Sequence, residues 1–218
     1  PDLGQDYRYR NSLAENAKIH KEGLATAYFA GSIFETAWFM RGMEQLFADI
    51  VTEPETSNYL LDRITDITAA SARHLAAADV DLLILGDDIA MQTGMMMSLD
   101  MWRVTFKPRL MRVIQAAREM KPEILVFYHS DGNVWDAVPD LIDAGVDVLN
   151  PVQPECMDPA KVKDTFGSEL SFFGTISVQE TMPFGTPDDV RGEVKLRMET
   201  IGRNGGLLLA PSHVLQPD

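Results

Sequence analysis

The sequence is poor in cysteine, in basic residues and in long apolar runs. Cys156 is the one cysteine among 218 residues, which excludes an internal disulfide and a cysteine-rich zinc module and favours a reducing compartment. The apolar runs fall far short of the roughly 20 consecutive residues that cross a bilayer. No charged and then apolar leader opens the chain, so we expect a cytoplasmic protein with no membrane partner.

Basic residues are outnumbered by acidic ones. The chain carries 19 Lys and Arg against 33 Asp and Glu, a formal net charge of -14, and such a field repels the phosphates of nucleic acids and anionic lipids. Four basic residues do cluster on one predicted helix, and we interpret that cluster as a solvated helix face. The apolar content of 45% is enough for residues 1–218 to form one domain with a substantial core.

Six predicted strands alternate with predicted helices, which is the pattern of a parallel α/β sheet. The strands are predicted at 24–30, 79–88, 124–130, 146–150, 170–176 and 206–210. The helices are predicted at 13–23, closed by Gly23, and at 33–50, 55–78, 100–120 with an interruption near Pro108, 135–144, 159–166 and 187–202. An open doubly wound sheet and a barrel both fit this spacing, and a barrel needs eight strands. We therefore expect part of a larger domain.

The stretch 124–133, ILVFYHSDGN, changes abruptly from a β-forming apolar run to polar residues. In parallel α/β folds the ligand lies beyond the carboxyl ends of the strands, where His129 and Asp131 stand. Side chains two apart on an extended backbone point to the same side, so this H-x-D pair can aim an imidazole and a carboxylate at one point. That geometry suits a metal ion or a proton-transfer pair.

The other predicted strands also end in polar residues, and these converge on one face if the sheet closes. Two histidines and a carboxylate can hold Zn²⁺ with positions left open, or they can form an acid–base pair. Cys156 is a weaker candidate ligand, because a lone cysteine is more often a small buried hydrophobe. The polar residues at the five strand ends are Asp87 and Asp88, then His129 and Asp131, then Asn150, Gln153, Glu155 and Cys156, then Ser177, Gln179 and Glu180, and finally Ser212 and His213. An aspartate of the first pair could instead cap the next helix.

Several longer stretches resemble the uroporphyrinogen decarboxylase superfamily. They are YFAGSIFETAWFMRG, DIAMQTGMMMSLDMWRVTFKPRL, PDLIDAGVDVLNPVQ, MDPAKVKDTFG, FFGTISVQETMPFGTPDDV and LLLAPSHVLQPD, which cover nearly the whole chain. The resemblance implies a TIM (β/α)8 barrel of which this chain holds strands three to eight. It also implies one of two activities: cofactor-free decarboxylation of a tetrapyrrole in porphyrin biosynthesis, or zinc-dependent methyl transfer to or from a corrinoid protein. A homodimer is the assembly that resemblance to the decarboxylases implies.

The motifs differ from both branches at specific positions. His213 matches the histidine after the last strand of the decarboxylases, but Phe39 stands where they have a substrate-contacting tyrosine. The methyltransferases carry H-x-C and a further cysteine where this chain has His129, Asp131 and His213. The resemblance thus implies a His-Asp-His zinc site, a harder Lewis acid suited to an alcohol or a methyl ether rather than a thiol.

We therefore predict metal-assisted methyl transfer between a small molecule and a corrinoid (cobalamin) protein. In this prediction His129, Asp131 and His213 are the zinc ligands and, with Asp88, the catalytic residues. Uroporphyrinogen decarboxylation and a non-catalytic tetrapyrrole- or corrinoid-binding barrel are the alternatives. The predicted substrate contacts are Phe39, Asp87, Gln153, Glu155 and Gln179.

Overall fold

All six predicted strands are present in the computed structural model, which describes residues 6–9 and 11–215. They form one parallel sheet in chain order, and two further short strands pair with each other as a small antiparallel hairpin. Strands that are neighbours in the parallel sheet also follow one another along the chain. This is expected when helices connect the end of each strand to the start of the next one. The strands are β1 (Ala27–Gly31), β2 (Leu82–Gly86), β3 (Ala90–Met91), β4 (Gly94–Met95), β5 (Leu125–His129), β6 (Val148–Asn150), β7 (Ser171–Phe173) and β8 (Leu207–Leu208).

Helices cover the connections between the parallel strands, and apolar side chains from both layers form one core. Leu83, Leu149 and Phe172 of the sheet are fully buried, as are Phe34 and Leu61 of the helices. The α-helices are α1 (Ser12–Lys21), α2 (Phe34–Arg41), α3 (Met43–Thr52), α4 (Pro54–Ala77), α5 (Leu99–Thr105), α6 (Lys107–Arg118), α7 (Val138–Ala144), α8 (Pro159–Phe166), α9 (Thr181–Phe184) and α10 (Pro187–Glu199).

One predicted helix is broken into two, and another is interrupted where the sequence predicts it. The predicted helix 33–50 stops at Gly42, whose φ of 83° lies in a region that suits glycine, and α3 starts directly after it. The predicted helix 100–120 breaks at Phe106, because Pro108 in the first turn of α6 has no N–H to donate to the preceding turn. The prediction also left out the short helix α9, which lies between β7 and α10.

The register of the sheet aligns the strand ends that matter for a site. Gly86 of β2 pairs with His129 of β5, and His129 pairs with Asn150 of β6. Because these strands are parallel, the residues that follow them emerge at the same edge. None of the helices in the described part of the chain combines the length and apolarity that a membrane span requires.

Candidate functional site

Four of the predicted residues meet at the carboxyl ends of the strands. His129 Nε2 lies 3.7 Å from Asp88 Oδ1, and His213 Nε2 lies 3.8 Å from Asp131 Oδ2. The rings of His129 and His213 have their centroids 6.4 Å apart. The two histidines, 84 positions apart in sequence, therefore face the same mouth of the sheet.

A metal-capable cluster lies within this group. Asp88, His129 and Asp131 each offer one ligand atom, and these three atoms lie within 4.8 Å of one another. Two carboxylate oxygens and one imidazole nitrogen are donors that Zn²⁺ accepts. His213 stands beside the cluster through its contact with Asp131, so its role as a direct ligand stays a prediction.

The orientation of His129 is fixed by its neighbour on β6. Asn150 donates through Nδ2 to the carbonyl oxygen of Phe173 at 3.0 Å, which leaves its Oδ1 as the acceptor that faces His129. His129 Nδ1 lies 2.6 Å from this oxygen, so Nδ1 carries the proton. In the neutral imidazole, the other ring nitrogen, Nε2, then has a lone pair on the side of Asp88, as a metal ligand requires.

Backbone contacts hold the turn that carries Asp131. Its N–H donates to Asp88 Oδ1 at 2.8 Å, and the N–H of Gly132 donates to Gln153 Oε1 at 3.1 Å. Gly132 has a φ of 87°, and a Cβ there would lie 2.6 Å from the carbonyl oxygen of Met91. Only glycine fits this close approach of the β3-β4 hairpin, so the turn and the hairpin are packed as one unit.

Burial and like charge raise the pKa of two carboxyl groups beside the cluster, those of Asp131 and Glu35. The pKa of the Asp131 carboxyl is raised by burial and by the charge of Asp88, against the opposing effect of the two histidines. The pKa of Glu35 is also raised, first by burial and then by Asp88 and Asp131. Both carboxyls therefore hold a proton more readily than an exposed side chain does.

Glu35 is the site residue that the sequence analysis missed. It lies in the first turn of α2, four positions after β1 ends, and its carboxyl is close enough to Asp88, His129 and Asp131 to feel their charges. Because Glu35 follows the end of β1, the rule that places polar residues after strand ends applies to it as well.

Asp87 caps a helix. Its two carboxylate oxygens accept from the N–H groups of Ile33, at 3.2 Å, and Glu35, at 2.9 Å, at the start of α2. Burial raises its pKa to about 8 despite these donors. The sequence left open a cap on the helix that follows the Asp87–Asp88 pair, but the capped helix is α2, which precedes the pair in the chain. The cap places Glu35 beside the cluster.

A cavity of about 700 Å³ adjoins the cluster. Its polar wall includes two of the predicted substrate contacts, Gln153 and Gln179, together with Asp131 and His213. The rest of the wall is apolar and consists of Val178, Met182, Pro183, Phe184, Val214 and Leu215. A small molecule with one polar end and an apolar body suits this lining.

Three other candidates take different positions. Phe39 is 76% exposed and packs edge-on against Trp38, away from the residues that line the cavity. The carboxylate of Glu155 accepts a hydrogen bond from the hydroxyl of Ser177. Burial and the charges of Glu155 and Asp131 raise the pKa of Cys156, which favours the neutral thiol over the thiolate that binds metals.

Residues 12–218 match the family described as uroporphyrinogen decarboxylase (URO-D). The chain belongs to the URO-D family. Within the family, the chain is 27% identical over 161 residues to the methylated-thiol–coenzyme M methyltransferase of Methanosarcina mazei, a match that covers 72% of this chain and 40% of that protein. The resemblance to methyltransferase members of the family is therefore confirmed.

A solved structure shows that the fold is shared. A methyltransferase from Methanosarcina mazei superimposes with a TM-score of 0.74 at 18% identity, covering 94% of this chain and 58% of that chain. The six parallel strands are thus units of a barrel, and the predicted fold class is confirmed. The chain spans about half the length of these relatives.

Proposed function

We propose that this URO-D family chain carries the metal centre of a zinc-assisted methyltransferase that works with a corrinoid protein. The observation that carries the proposal is the cluster of Asp88, His129 and Asp131, whose ligand atoms lie within 4.8 Å of one another. The methyltransferase activity of a similar family member supports the class of reaction. The proposed class of substrate rests on the metal-ligating atoms that this chain offers, two carboxylate oxygens and one imidazole nitrogen.

The residues present fit a zinc ion. Three protein ligands with an open position are the usual arrangement of catalytic zinc, and here they are two carboxylates and Nε2 of His129. Asn150 supplies the outer contact that orients the imidazole. His213, which the sequence predicts as a ligand, lies beside Asp131; with His213 also bound, the substrate oxygen would take a fifth position on the ion. Bound there, zinc would supply a Lewis acid that draws electron density from a substrate oxygen.

The donor set favours an oxygen-bearing methyl donor. Carboxylates keep the ion harder than thiolates do, and hard ions prefer oxygen ligands. In an alcohol or methyl ether the bond between methyl carbon and oxygen breaks, its electron pair stays on the oxygen, and that oxygen takes up one proton. The methyl group passes to the reduced corrinoid of the partner protein, which supplies the electron pair for the new bond.

Metal analysis tests the proposal directly. After treatment with a chelator and titration with Zn²⁺, the full chain is expected to bind one zinc. Asn150→Ala should weaken that binding roughly 10–100-fold, as loss of an outer-shell partner does, and His129→Ala should weaken it further. His74→Ala, which changes a histidine on α4, is the control and should bind as the parent chain does.

Activity assays separate the alternatives. Zinc-loaded chain should transfer methyl groups from methoxybenzene to free cob(I)alamin, followed by the absorbance change of the corrinoid. A chain that binds no zinc and forms coproporphyrinogen from uroporphyrinogen would be a decarboxylase, and the proposal would be wrong. Cobalamin binding with neither zinc nor turnover would instead indicate a binding barrel.

A further inference from the structure

One short segment supplies much of the cavity wall. Residues 178–184, which we name the strap, connect β7 to α10 and include the helix α9. The strap residues that line the cavity are Val178, Gln179, Met182, Pro183 and Phe184. Phe184 is 84% exposed, so a large apolar side chain is held at the mouth and not packed into the core.

Ser177 fixes the base of the strap. It is 5% exposed, and its Oγ accepts hydrogen bonds from the N–H groups of Glu180, at 2.9 Å, and Thr181, at 3.3 Å. These contacts cap the start of α9. The hydroxyl proton of Ser177 is directed to the carboxylate of Glu155, so Glu155 determines how the cap is oriented.

A buried ion pair supports the same residue from the other side. The N–H of Ser177 donates to Glu193 Oε1 at 3.2 Å, and the same oxygen accepts from Arg197 Nη2 at 2.7 Å. Arg197 also donates through Nε to the carbonyl oxygen of Thr175 at 3.0 Å, at the end of β7. Glu193 and Arg197 are 8% and 13% exposed, so this base is shielded from solvent.

The strap is also tied across the mouth. Gln92, in the turn of the β3-β4 hairpin, donates to Gln179 Oε1 at 3.0 Å. The carbonyl oxygen of Met91 on the same hairpin accepts from the N–H of Asn133 at 2.8 Å, next to the turn that carries Asp131. The strap is therefore held at one side through the hairpin that packs beside the metal-capable cluster, and at the other side near the end of β7.

We propose that the strap is the specificity-determining segment of the cavity and that Glu155 is its positioning residue, acting through the hydroxyl of Ser177. The inference deepens the proposed function and rests on it for the identity of the reacting end of the substrate. The cluster binds the oxygen-bearing end of the methyl donor, and the strap contacts the apolar body. In this proposal Glu155 positions the strap and does not touch the substrate, whereas the sequence predicts it as a direct substrate contact.

Two matched probes test the role of the strap. Methoxybenzene and methanol share a methyl–oxygen bond, but only methoxybenzene has a body large enough to reach the strap. In the zinc-loaded full chain, Phe184→Ala should weaken methoxybenzene binding, measured by ligand-observed NMR, by about fivefold, the equivalent of about 1 kcal/mol. The Kd for methanol, measured in the same way, and the zinc content should not change. Equal losses for both probes, or no loss for either, would overturn the role.

Matched variants at Glu155 test the positioning role. Glu155→Gln keeps an oxygen that accepts from Ser177, whereas Glu155→Ala removes it. Glu155→Ala should raise the Kd for methoxybenzene about fivefold and speed hydrogen exchange at the amides of Glu180 and Thr181, while Glu155→Gln stays close to the parent chain. A kcat loss with unchanged KM, or identical effects of the two variants, would contradict positioning through the serine.

These readouts separate the two proposals. Hydrogen exchange at Glu180 and Thr181 and the Phe184 effect on methoxybenzene binding are measurable whether or not methyl transfer occurs. If hydrogen exchange at Glu180 and Thr181 is unchanged in Glu155→Ala, the strap inference is wrong and the proposed reaction is unaffected. If the parent chain binds no zinc, the proposed reaction is wrong, but the strap still forms a wall of the cavity.

Discussion

Gly86 is the position at which the sheet and the site can be perturbed together. It ends β2, and its register partner on β5 is His129. A Cβ at Gly86 would lie 2.9 Å from the Cβ of His129 and 3.2 Å from its carbonyl oxygen. Its φ needs no glycine, so the effect of Gly86→Ala is one of contact alone. The methyl group and the backbone of His129 would compete for the same space.

The size of the effect follows from what can move. Contacts of this kind are ordinarily 3.4 Å or longer, so the two strands must separate by about 0.5 Å. Neither contacting atom is the end of a flexible side chain, and β6 pairs with the other side of His129. Overpacking of this kind costs about 1–3 kcal/mol of unfolding free energy. The displaced imidazole should also bind zinc more weakly.

Urea unfolding and zinc titration measure both consequences. Gly192→Ala is the matched control, because this glycine lies within α10 and a Cβ there meets nothing within 4 Å. Alanine should stabilise that helix by about 0.5–1 kcal/mol and leave zinc binding unchanged. If Gly86→Ala proved as stable as Gly192→Ala and bound zinc with the affinity of the parent chain, the steric reasoning would be refuted.

Two predictions concern pH. Because burial raises the pKa of Asp87 from 3.8 to about 8, the folded chain keeps a proton that the unfolded chain releases. The stability from this group is present below about pH 4 and is lost towards pH 8, by up to about 1.4 kcal/mol per pH unit. Asp87→Asn should flatten that slope in urea unfolding of the chelated protein. The pKa of Asp140 is lowered, since hydrogen bonds from Lys107 and Arg103 outweigh the effect of burial, so its stability is present above the unfolded pKa and lost as pH falls. Asp140→Asn should cost about 1–3 kcal/mol at pH 6, because Arg103 is half exposed and Lys107 keeps its contact with Asp143. The difference should shrink in acid, and equal costs at both pH values would contradict the ion-pair explanation.

The positions of the strands were predictable because a strand of a parallel sheet reads as a continuous apolar run. Runs such as LLIL and ILVFY have no polar face, and each lies in or beside a strand of the parallel sheet. Helix boundaries were less predictable. Both halves of the helix predicted at 33–50 are apolar at helical spacing, so the pattern continues through Gly42 although the backbone does not.

The composition of the site was partly predictable for the same geometric reason. His129, Asp131 and His213 follow strand ends, and parallel strands bring those ends together. The direction of a side chain is another matter. Asp87 and Asp88 are adjacent in sequence, yet one caps α2 and the other contacts His129, because successive residues point to opposite sides. Sequence identifies such a pair but does not assign its two roles.

The metal-capable cluster and the strap are held in place by different parts of the fold. His129 is oriented by Asn150 on the next strand, and the turn that carries Asp131 is held by Asp88 and by the glutamine that follows β6. These contacts follow from the sheet register, so a change in them disturbs the core. The strap is held by Ser177 and by the contact between Gln92 and Gln179, both of which lie outside the sheet. Residues there can change without moving the cluster. A family that keeps its barrel while it varies its substrate would therefore be expected to vary the strap first.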